Sequence, residues 1–151
     1  RQKDIKKARA VFEAFIENGE AAQKLKDIVK WQGGNPDVVD NPHTHFKAAA
    51  LEHKFKAEKD GYVGCIDAKL TGQAAVLLGA GRNKMEDQID YGAGIWLDKK
   101  HGDAVKKGDV IARLYASDKK RLQEGVGLFS QAVTLQKAKP KAYPIVREIV
   151  K

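Results

Sequence analysis

The feature of this sequence that most constrains its fold is a change in hydrophobic periodicity near Leu51. Before this point, apolar residues recur every three or four positions, which is the spacing of one face of an α-helix. After it, apolar and charged residues alternate, which is the spacing of a half-buried β-strand. A turn-rich segment, residues 35–46, separates the two patterns. The sequence therefore predicts an α+β chain with a boundary in this segment.

The residues before the boundary predict two short helices joined by a tight turn. The first helix is expected over residues 4–18 and the second over residues 20–32. Gly19 lies between them, and glycine readily adopts the left-handed conformation in which helices often end. Each helix has one apolar face, so this helical hairpin must pack against another part of a larger structure. The apolar positions are Ile5, Ala8, Val11, Phe12, Phe15 and Ile16 in the first helix, and Ala22, Leu25, Ile28 and Val29 in the second.

The residues after the boundary predict a mixed module of short strands and helices. Glycine-aspartate turns at residues 101–103 and 107–109 flank a short extended piece, as at the tight corners of a flattened β-sandwich. Pro144 is expected to begin a terminal helix, because its fixed backbone angle suits a first turn. Strands are expected over residues 51–57, 62–67, 93–97, 110–116 and 133–137; helices are expected over residues 71–80, with Thr71 as a cap, and from Ser117-Asp118 onward.

The charge of +8 does not indicate a nucleic-acid partner, because the lysines are scattered among acids. Cys65 is the only cysteine, which excludes an intramolecular disulfide and fits a reducing, cytoplasmic setting. No apolar run approaches the roughly 20 residues that span a bilayer, so no membrane contact is expected. The chain begins at Arg1 with a helical pattern almost at once, which predicts the cut end of a longer protein.

The sequence contains none of the common catalytic motifs GxSxG, HExxH or GxxxxGK[ST]. His43 and His45 lie in a turn-rich segment without a nearby third ligand, so exposed loop histidines are favoured over a metal site. Cys65 within a strand is expected to be a small core residue rather than a nucleophile. No cofactor or metal is expected in this chain.

The turn Gly79-Ala-Gly-Arg82 is the most informative local candidate for a functional site. Gly79 and Gly81 permit close approach of a ligand or another backbone, and Arg82 can bind a carboxylate or phosphate. The alternative is an ordinary helix C-cap followed by an exposed loop. From the residues alone, the cap is the favoured interpretation.

The two glycine-aspartate turns also raise the possibility of a biotinyl or lipoyl carrier domain. Such carriers hold a modified lysine at a hairpin tip, and Lys119 and Lys120 lie near that place. A carrier then needs a further strand to complete the hairpin, whereas residues 122–133 have helical spacing. These lysines are therefore expected to be surface residues at the start of a helix, and the carrier remains the alternative function.

Three ordered motifs together resemble the C-terminal region of bacterial pyrimidine-nucleoside phosphorylases, including thymidine phosphorylases. The resemblance covers nearly the whole chain. It implies that residues 1–46 are a helical hairpin and linker from a larger α/β domain, and that residues 47–151 form a hammerhead-like C-terminal domain. The motifs are Gly19-Glu-Ala-Ala to Trp31-Gln-Gly-Gly34; Asp60-Gly-Tyr-Val63 through Leu78-Gly-Ala-Gly-Arg82 to Asp87-Gln-Ile-Asp90; and Gly92-Ala-Gly-Ile95 with Lys99-Lys-His-Gly-Asp103 and Lys107-Gly-Asp109.

The resemblance also implies an activity. The family cleaves a pyrimidine nucleoside with inorganic phosphate as co-substrate, giving the free base and (deoxy)ribose 1-phosphate, usually as a homodimer. No position in this chain matches the family's phosphate- or base-binding residues, so no catalytic residue is carried over, and the N-terminal catalytic portion is the expected partner. Residues 78–90 resemble a loop that, in the family, folds towards the cleft between the two domains of the enzyme. This makes Gly79, Gly81 and Arg82 a candidate domain-closure loop.

Overall fold

The computed structural model describes residues 4–47, 49–82, 84–143 and 148, and the chain divides into two compact units, residues 1–47 and 48–151. The α+β class is confirmed. The first unit contains α1 (Ile5–Glu17), α2 (Glu20–Trp31), a 3₁₀ turn (Pro36–Val38) and α3 (Pro42–His45). The second contains β1 (Leu51–Lys56), β2 (Gly61–Ile66), α4 (Ala68–Leu78), β3 (Gly94–Leu97), β4 (Ala104–Val105), β5 (Val110–Ala116), α5 (Lys119–Ala132) and β6 (Val133–Gln136).

The first unit begins with the predicted helical hairpin, which is confirmed. Asp4 starts α1 because its carboxylate accepts hydrogen bonds from the backbone amides of Lys6 and Lys7. Gly19 then joins α1 to α2 with a φ of +83°, a conformation that favours glycine. Neither helix contains a buried residue. Their apolar side chains remain exposed, with Phe12 at 65%, Ile16 at 72% and Trp31 at 76%.

The second unit is built on two three-stranded antiparallel sheets. One has the strand order β1-β5-β3 and the other β4-β2-β6. In the first sheet the central strand β5 places Ala112 opposite Phe55 and Leu114 opposite Ile95. β5 is central and largely buried, which explains its nearly continuous apolar sequence.

The core of the second unit lies between the sheets and the pair of helices α4 and α5. Its main cluster contains Leu78 from α4, Leu114 from β5 and Phe129 from α5, all fully buried. Phe55 packs its ring edge-to-face on Phe129, with centroids 5.2 Å apart. Gly125 lets the helices approach closely, because an added Cβ would lie 2.6 Å from Leu78 Cδ2. A second, smaller cluster contains Ala57, Val63, Val105 and Ile111.

Two local predictions in the second unit are wrong. α4 begins at Ala68 rather than residue 71, because the Asp67 carboxylate caps it by accepting a hydrogen bond from the Leu70 amide at 2.8 Å. Cys65 is exposed, not part of the core. The register of β2 shifts between Val63 and Cys65, and this irregularity turns Cys65 outward while Ile66 packs against both clusters.

The element that follows β5 distinguishes this module from a carrier domain, which has a strand at that place. A helix, α5, follows immediately, capped by the Asp118 carboxylate, which accepts from the Arg121 amide at 2.9 Å. Lys119 and Lys120 are the first residues of α5 and are exposed, as predicted. The expected last strand is confirmed as β6. The helix expected at Pro144 lies outside the described residues.

Candidate functional site

The candidate domain-closure loop, residues 79–90, begins where α4 ends. Gly79 has a φ of +111°, and the Ala80 amide donates to the Ala75 carbonyl oxygen at 3.0 Å, which closes the last turn of the helix. An added Cβ on Gly79 would lie 2.9 Å from Arg121 Nη1 and 3.4 Å from Asp90 Cβ. Gly79 is therefore needed both for its backbone conformation and for the close approach of α5 and the far end of the loop.

Gly81 has a similar packing role without the unusual backbone angle. An added Cβ there would lie 2.8 Å from Val76 Cγ2, so the chain folds back tightly against α4. The groups that approach these two glycines are the protein's own atoms. Gly79 and Gly81 therefore act as a helix C-cap, and any functional role belongs to Arg82 and the residues after it.

Asp90 fastens the far end of the closure loop to the rest of the module. Its carboxylate accepts a hydrogen bond from Ser117 Oγ at 2.6 Å and another from the Gly92 amide at 2.9 Å. Its own amide donates to the Gly79 carbonyl oxygen at 2.9 Å, which joins the two ends of the loop. The Ser117 hydrogen bond, followed by that of Gly92, holds the pKa of the Asp90 carboxyl below its ordinary value, with a smaller contribution from the charge of Arg121.

The residues between these two anchors form an exposed tip. The Lys84 amide donates to Asp87 Oδ2 at 3.0 Å, which shapes a turn. Met85 is 88% exposed, and Tyr91, just beyond Asp90, is 91% exposed. Arg82 is also exposed, and its guanidinium has no hydrogen bond or ion pair within the described residues. The loop and the residue after it thus present two cations, Arg82 and Lys84, and the side chains of Met85 and Tyr91 to solvent from a base that is fixed at both ends.

Sequence reasoning found Gly79, Gly81 and Arg82 but missed the fastening of the loop. Asp90 appeared only as the last residue of a motif, and Ser117 only as part of a helix start. Their hydrogen bond joins residues 27 positions apart, and no local pattern indicates such a pair. An aspartate directly before a glycine turn was the one signal that was available.

The histidines of the first unit do not form a metal site with their neighbours. His45 Nε2 lies 2.6 Å from Asp37 Oδ2, and this contact is the main reason that the pKa of Asp37 is lowered. His43 is exposed, as predicted. No group of three or more histidine, cysteine, aspartate or glutamate residues able to hold a metal occurs among the residues that the structure describes. None of the helices in those residues has the length and apolar character required to cross a bilayer.

Comparison with known proteins gives one consistent result. Residues 62–136, the greater part of the second unit, match a family described as the pyrimidine nucleoside phosphorylase C-terminal domain. The pyrimidine-nucleoside phosphorylase of Bacillus subtilis strain 168 is 44% identical over 113 residues, which are 75% of this chain and 26% of that protein. The enzyme of the same name from Staphylococcus haemolyticus is 36% identical over 140 residues, covering 89% of this chain and 32% of that protein.

The similarity extends into the first unit. The pyrimidine-nucleoside phosphorylase of Staphylococcus epidermidis strain RP62A is 34% identical over 146 residues, which are 97% of this chain and 33% of that protein. The chain therefore spans between a quarter and a third of the length of the curated relatives it matches. A phosphorylase-type C-terminal domain is the class that fold and comparison define, and this chain belongs to the pyrimidine-nucleoside phosphorylase family. The carrier alternative is not favoured.

Proposed function

We propose that the complete protein is a pyrimidine-nucleoside phosphorylase, which transfers the pentosyl group of a pyrimidine nucleoside to inorganic phosphate. The products are the free base and (deoxy)ribose 1-phosphate. One observation carries the proposal: identity of 34% across 97% of this chain with a relative of that name. The similarity includes both units, so it reflects more than a shared accessory module.

This chain contributes the non-catalytic portion of that enzyme. Stabilising a developing sugar cation beside phosphate requires positioned cationic and hydroxyl groups in a closed cleft. The chain has no motif that supplies them, so we assign no catalytic, cofactor-binding or metal residue to it. The catalytic groups and the phosphate site belong to the N-terminal portion. The enzyme is a cytoplasmic homodimer in this proposal, with no nucleic-acid or membrane partner.

The exposed apolar side chains of the first unit support the need for that portion. Phe12 and Ile16 of α1 and Trp31 of α2 are largely uncovered. Apolar surface left in water costs about 25 cal/mol per Å² relative to burial, and a helical pair gains most of its stability from tertiary packing. We assign this apolar face to the interface with the catalytic portion of the same protein.

The closure loop is a second place where we propose a contact with the catalytic portion. Its base is fixed by Asp90 and Gly79, while Arg82, Met85 and Tyr91 project into solvent. Such a loop can be ordered further when an opposing surface supplies contacts, and closure of a cleft excludes water from the reacting groups. We assign Arg82 to a contact with the catalytic portion that forms on closure.

Phosphate-dependent release of a pyrimidine base tests the proposed activity. The complete protein should convert uridine or thymidine to uracil or thymine only when phosphate is present, with one (deoxy)ribose 1-phosphate formed for each base. Absorbance change and chromatography measure the two products. Release of base without phosphate, or none with either nucleoside, would contradict the proposal.

Replacement of Arg82 tests the role of the closure loop in the complete protein. Arg82→Ala should lower kcat/KM for the nucleoside by about tenfold, the loss expected for one charged contact made on closure. The melting temperature should stay nearly unchanged, because Arg82 is exposed and unpaired in the described structure. Lys107→Ala, which removes an exposed cation from a turn outside the loop, is the matched control and should have no effect on activity. Wild-type activity in Arg82→Ala would leave the loop as a plain helix cap.

A further inference from the structure

The segment that follows β6, residues 137–143, runs past a histidine on another turn of the second unit. We call this segment the C-terminal strap. His101 Nδ1 lies 2.7 Å from the carbonyl oxygen of Gly64, on β2. Its other ring nitrogen, Nε2, lies 3.1 Å from the carbonyl oxygen of Lys141, on the strap. The ring also stacks on that of Tyr143, with centroids 4.8 Å apart and planes 26° from parallel.

Both ring nitrogens of His101 therefore face acceptors that cannot donate. A neutral imidazole has one N–H, so it can donate to only one of the two carbonyl oxygens and must turn a lone pair towards the other. An imidazolium has two N–H groups and donates to both. Exchanging the ring nitrogens and carbons by a flip would lose both contacts, so the arrangement fits the protonated ring.

The two carbonyl oxygens belong to different parts of the module. Gly64 is part of β2, and the Gly102 amide next to His101 donates to the Val63 carbonyl oxygen at 2.9 Å, so the histidine turn is fixed to that strand. Lys141 is five residues beyond the end of β6. The Nε2 contact and the stacking on Tyr143 are thus the links between the histidine turn and the strap.

We propose that His101 is a proton-dependent clasp for the C-terminal strap. Protonation of the ring supplies the second N–H donor and closes the strap over β2; loss of the proton removes one hydrogen bond and opens the strap. Histidine is the side chain whose ordinary proton exchange falls between about pH 5 and 8. The strap is closed on the acid side of this range and released as pH rises.

Other charged groups near the clasp are few, which simplifies its response. Within the described residues His101 forms no ion pair. Asp103, on the same turn, accepts a hydrogen bond at Oδ2 from the Lys100 amide at 2.8 Å. The titratable side chains on the elements that meet at His101 are Lys100 and Asp103 on its own turn, Tyr62 and Cys65 on β2, and Lys137, Lys139, Lys141 and Tyr143 on the strap.

Limited trypsin digestion of the complete protein tests the clasp, since the strap carries cleavage sites after Lys137 and Lys141. Mass spectrometry gives the initial rate of strap cleavage, and each wild-type rate is divided by that of His101→Gln at the same pH, so the pH dependence of trypsin cancels. At pH 5.5 we expect the wild type to be cleaved about tenfold more slowly than the variant, the protection expected from one charge-assisted hydrogen bond. At pH 8.5 the difference should shrink to about twofold, because the charge-assisted hydrogen bond is lost and the stacking of the ring on Tyr143 remains.

A ratio that is the same at both pH values would overturn the proposal, as would a ratio that falls towards alkaline pH. His53→Gln is the matched control, because it removes an exposed histidine from β1 and should leave the pH dependence intact. Rapid cleavage throughout the module would show that His101→Gln is unfolded. In that case the proposal is tested on the wild type alone, by NMR titration. The ring resonances of His101 and Tyr143 must then titrate with one common midpoint, and separate midpoints would refute the clasp.

Discussion

Both units of this chain contain large apolar side chains, but they place them differently. In the first unit the large apolar side chains of α1 and α2 are exposed, and neither helix has a buried residue. In the second unit, side chains of the same kinds, such as Leu78 and Phe129, are fully buried in a cluster to which both helices and sheets contribute side chains. The second unit therefore buries an apolar core of its own, although Met85, Tyr91 and Trp96 stay exposed, whereas α1 and α2 of the first unit bury no side chain.

An amphipathic pattern can therefore mark either a face buried in the same unit or a face that stays exposed. The stripe on α1 and the stripe on α5 look alike in the sequence, since both follow the three- and four-residue spacing of a helix face. In α5 the stripe explains stability within the described residues. In α1 the stripe is exposed, and under our proposal it is the surface that contacts the catalytic portion. We expect substitutions in the two stripes to have very different effects on the isolated chain.

The largest effect is predicted for the core of the second unit. Phe129→Ala should lower its free energy of unfolding by about 3–5 kcal/mol, because it removes a fully buried ring and leaves a cavity beside Phe55. Phe12→Ala in α1 should change the same quantity by less than about 0.5 kcal/mol, as for other exposed sites. Urea denaturation of each variant measures both values. Equal losses would mean that the first unit is also part of a closed core.

A pair of glycines in α5 gives a smaller and more selective test. Gly125→Ala should destabilise the second unit by about 1–3 kcal/mol, because its Cβ would overlap Leu78 across the contact between α4 and α5. Gly127→Ala, two residues away with open space around it, should stabilise the unit by about 0.5 kcal/mol through the better helix propensity of alanine. Opposite signs in thermal or urea unfolding confirm the packing of these helices. A loss at both positions would contradict it.

The smallest effect is expected from the carboxylate that fastens the closure loop. The pKa of Asp90 is lowered in the folded chain, so its contribution to stability is fully present above its ordinary value and is lost as pH falls through the lowered one. Asp90→Asn should therefore reduce the melting temperature by a few degrees near pH 6 and by less near pH 2.5. A variant that loses the same amount at both pH values would show that Asp90 acts through its shape rather than its charge.

Periodicity and turn residues were enough to predict most of the secondary structure, because those signals are local. The hairpin, the strand at residues 110–116 and the helix after Asp118 all follow from apolar spacing and capping side chains. One error was local, because the cap by Asp67 starts α4 three residues early. The other arose where a longer-range choice decided the outcome. The irregularity in β2 turned Cys65 outward, and it depends on pairing with β6, which lies far along the chain.

The candidate site was predicted less completely than the fold. The glycines that end α4 have a local signature, and so does an arginine in a polar loop. The fastening of the loop by Ser117 and Asp90 has none, and neither has the meeting of His101 with Lys141, since each joins residues more than 25 positions apart. Family resemblance indicated the region, but only the structure shows which contacts hold it.

This chain belongs to the pyrimidine-nucleoside phosphorylase family, and we propose that it contributes no catalytic residue to the complete enzyme. The most direct measurement is release of base from uridine or thymidine with phosphate, by the purified 151-residue chain beside the complete protein at equal molar concentration. We expect turnover by the complete protein and none above background by the isolated chain. Phosphate-dependent turnover by the chain alone, prepared free of host phosphorylase, would contradict it.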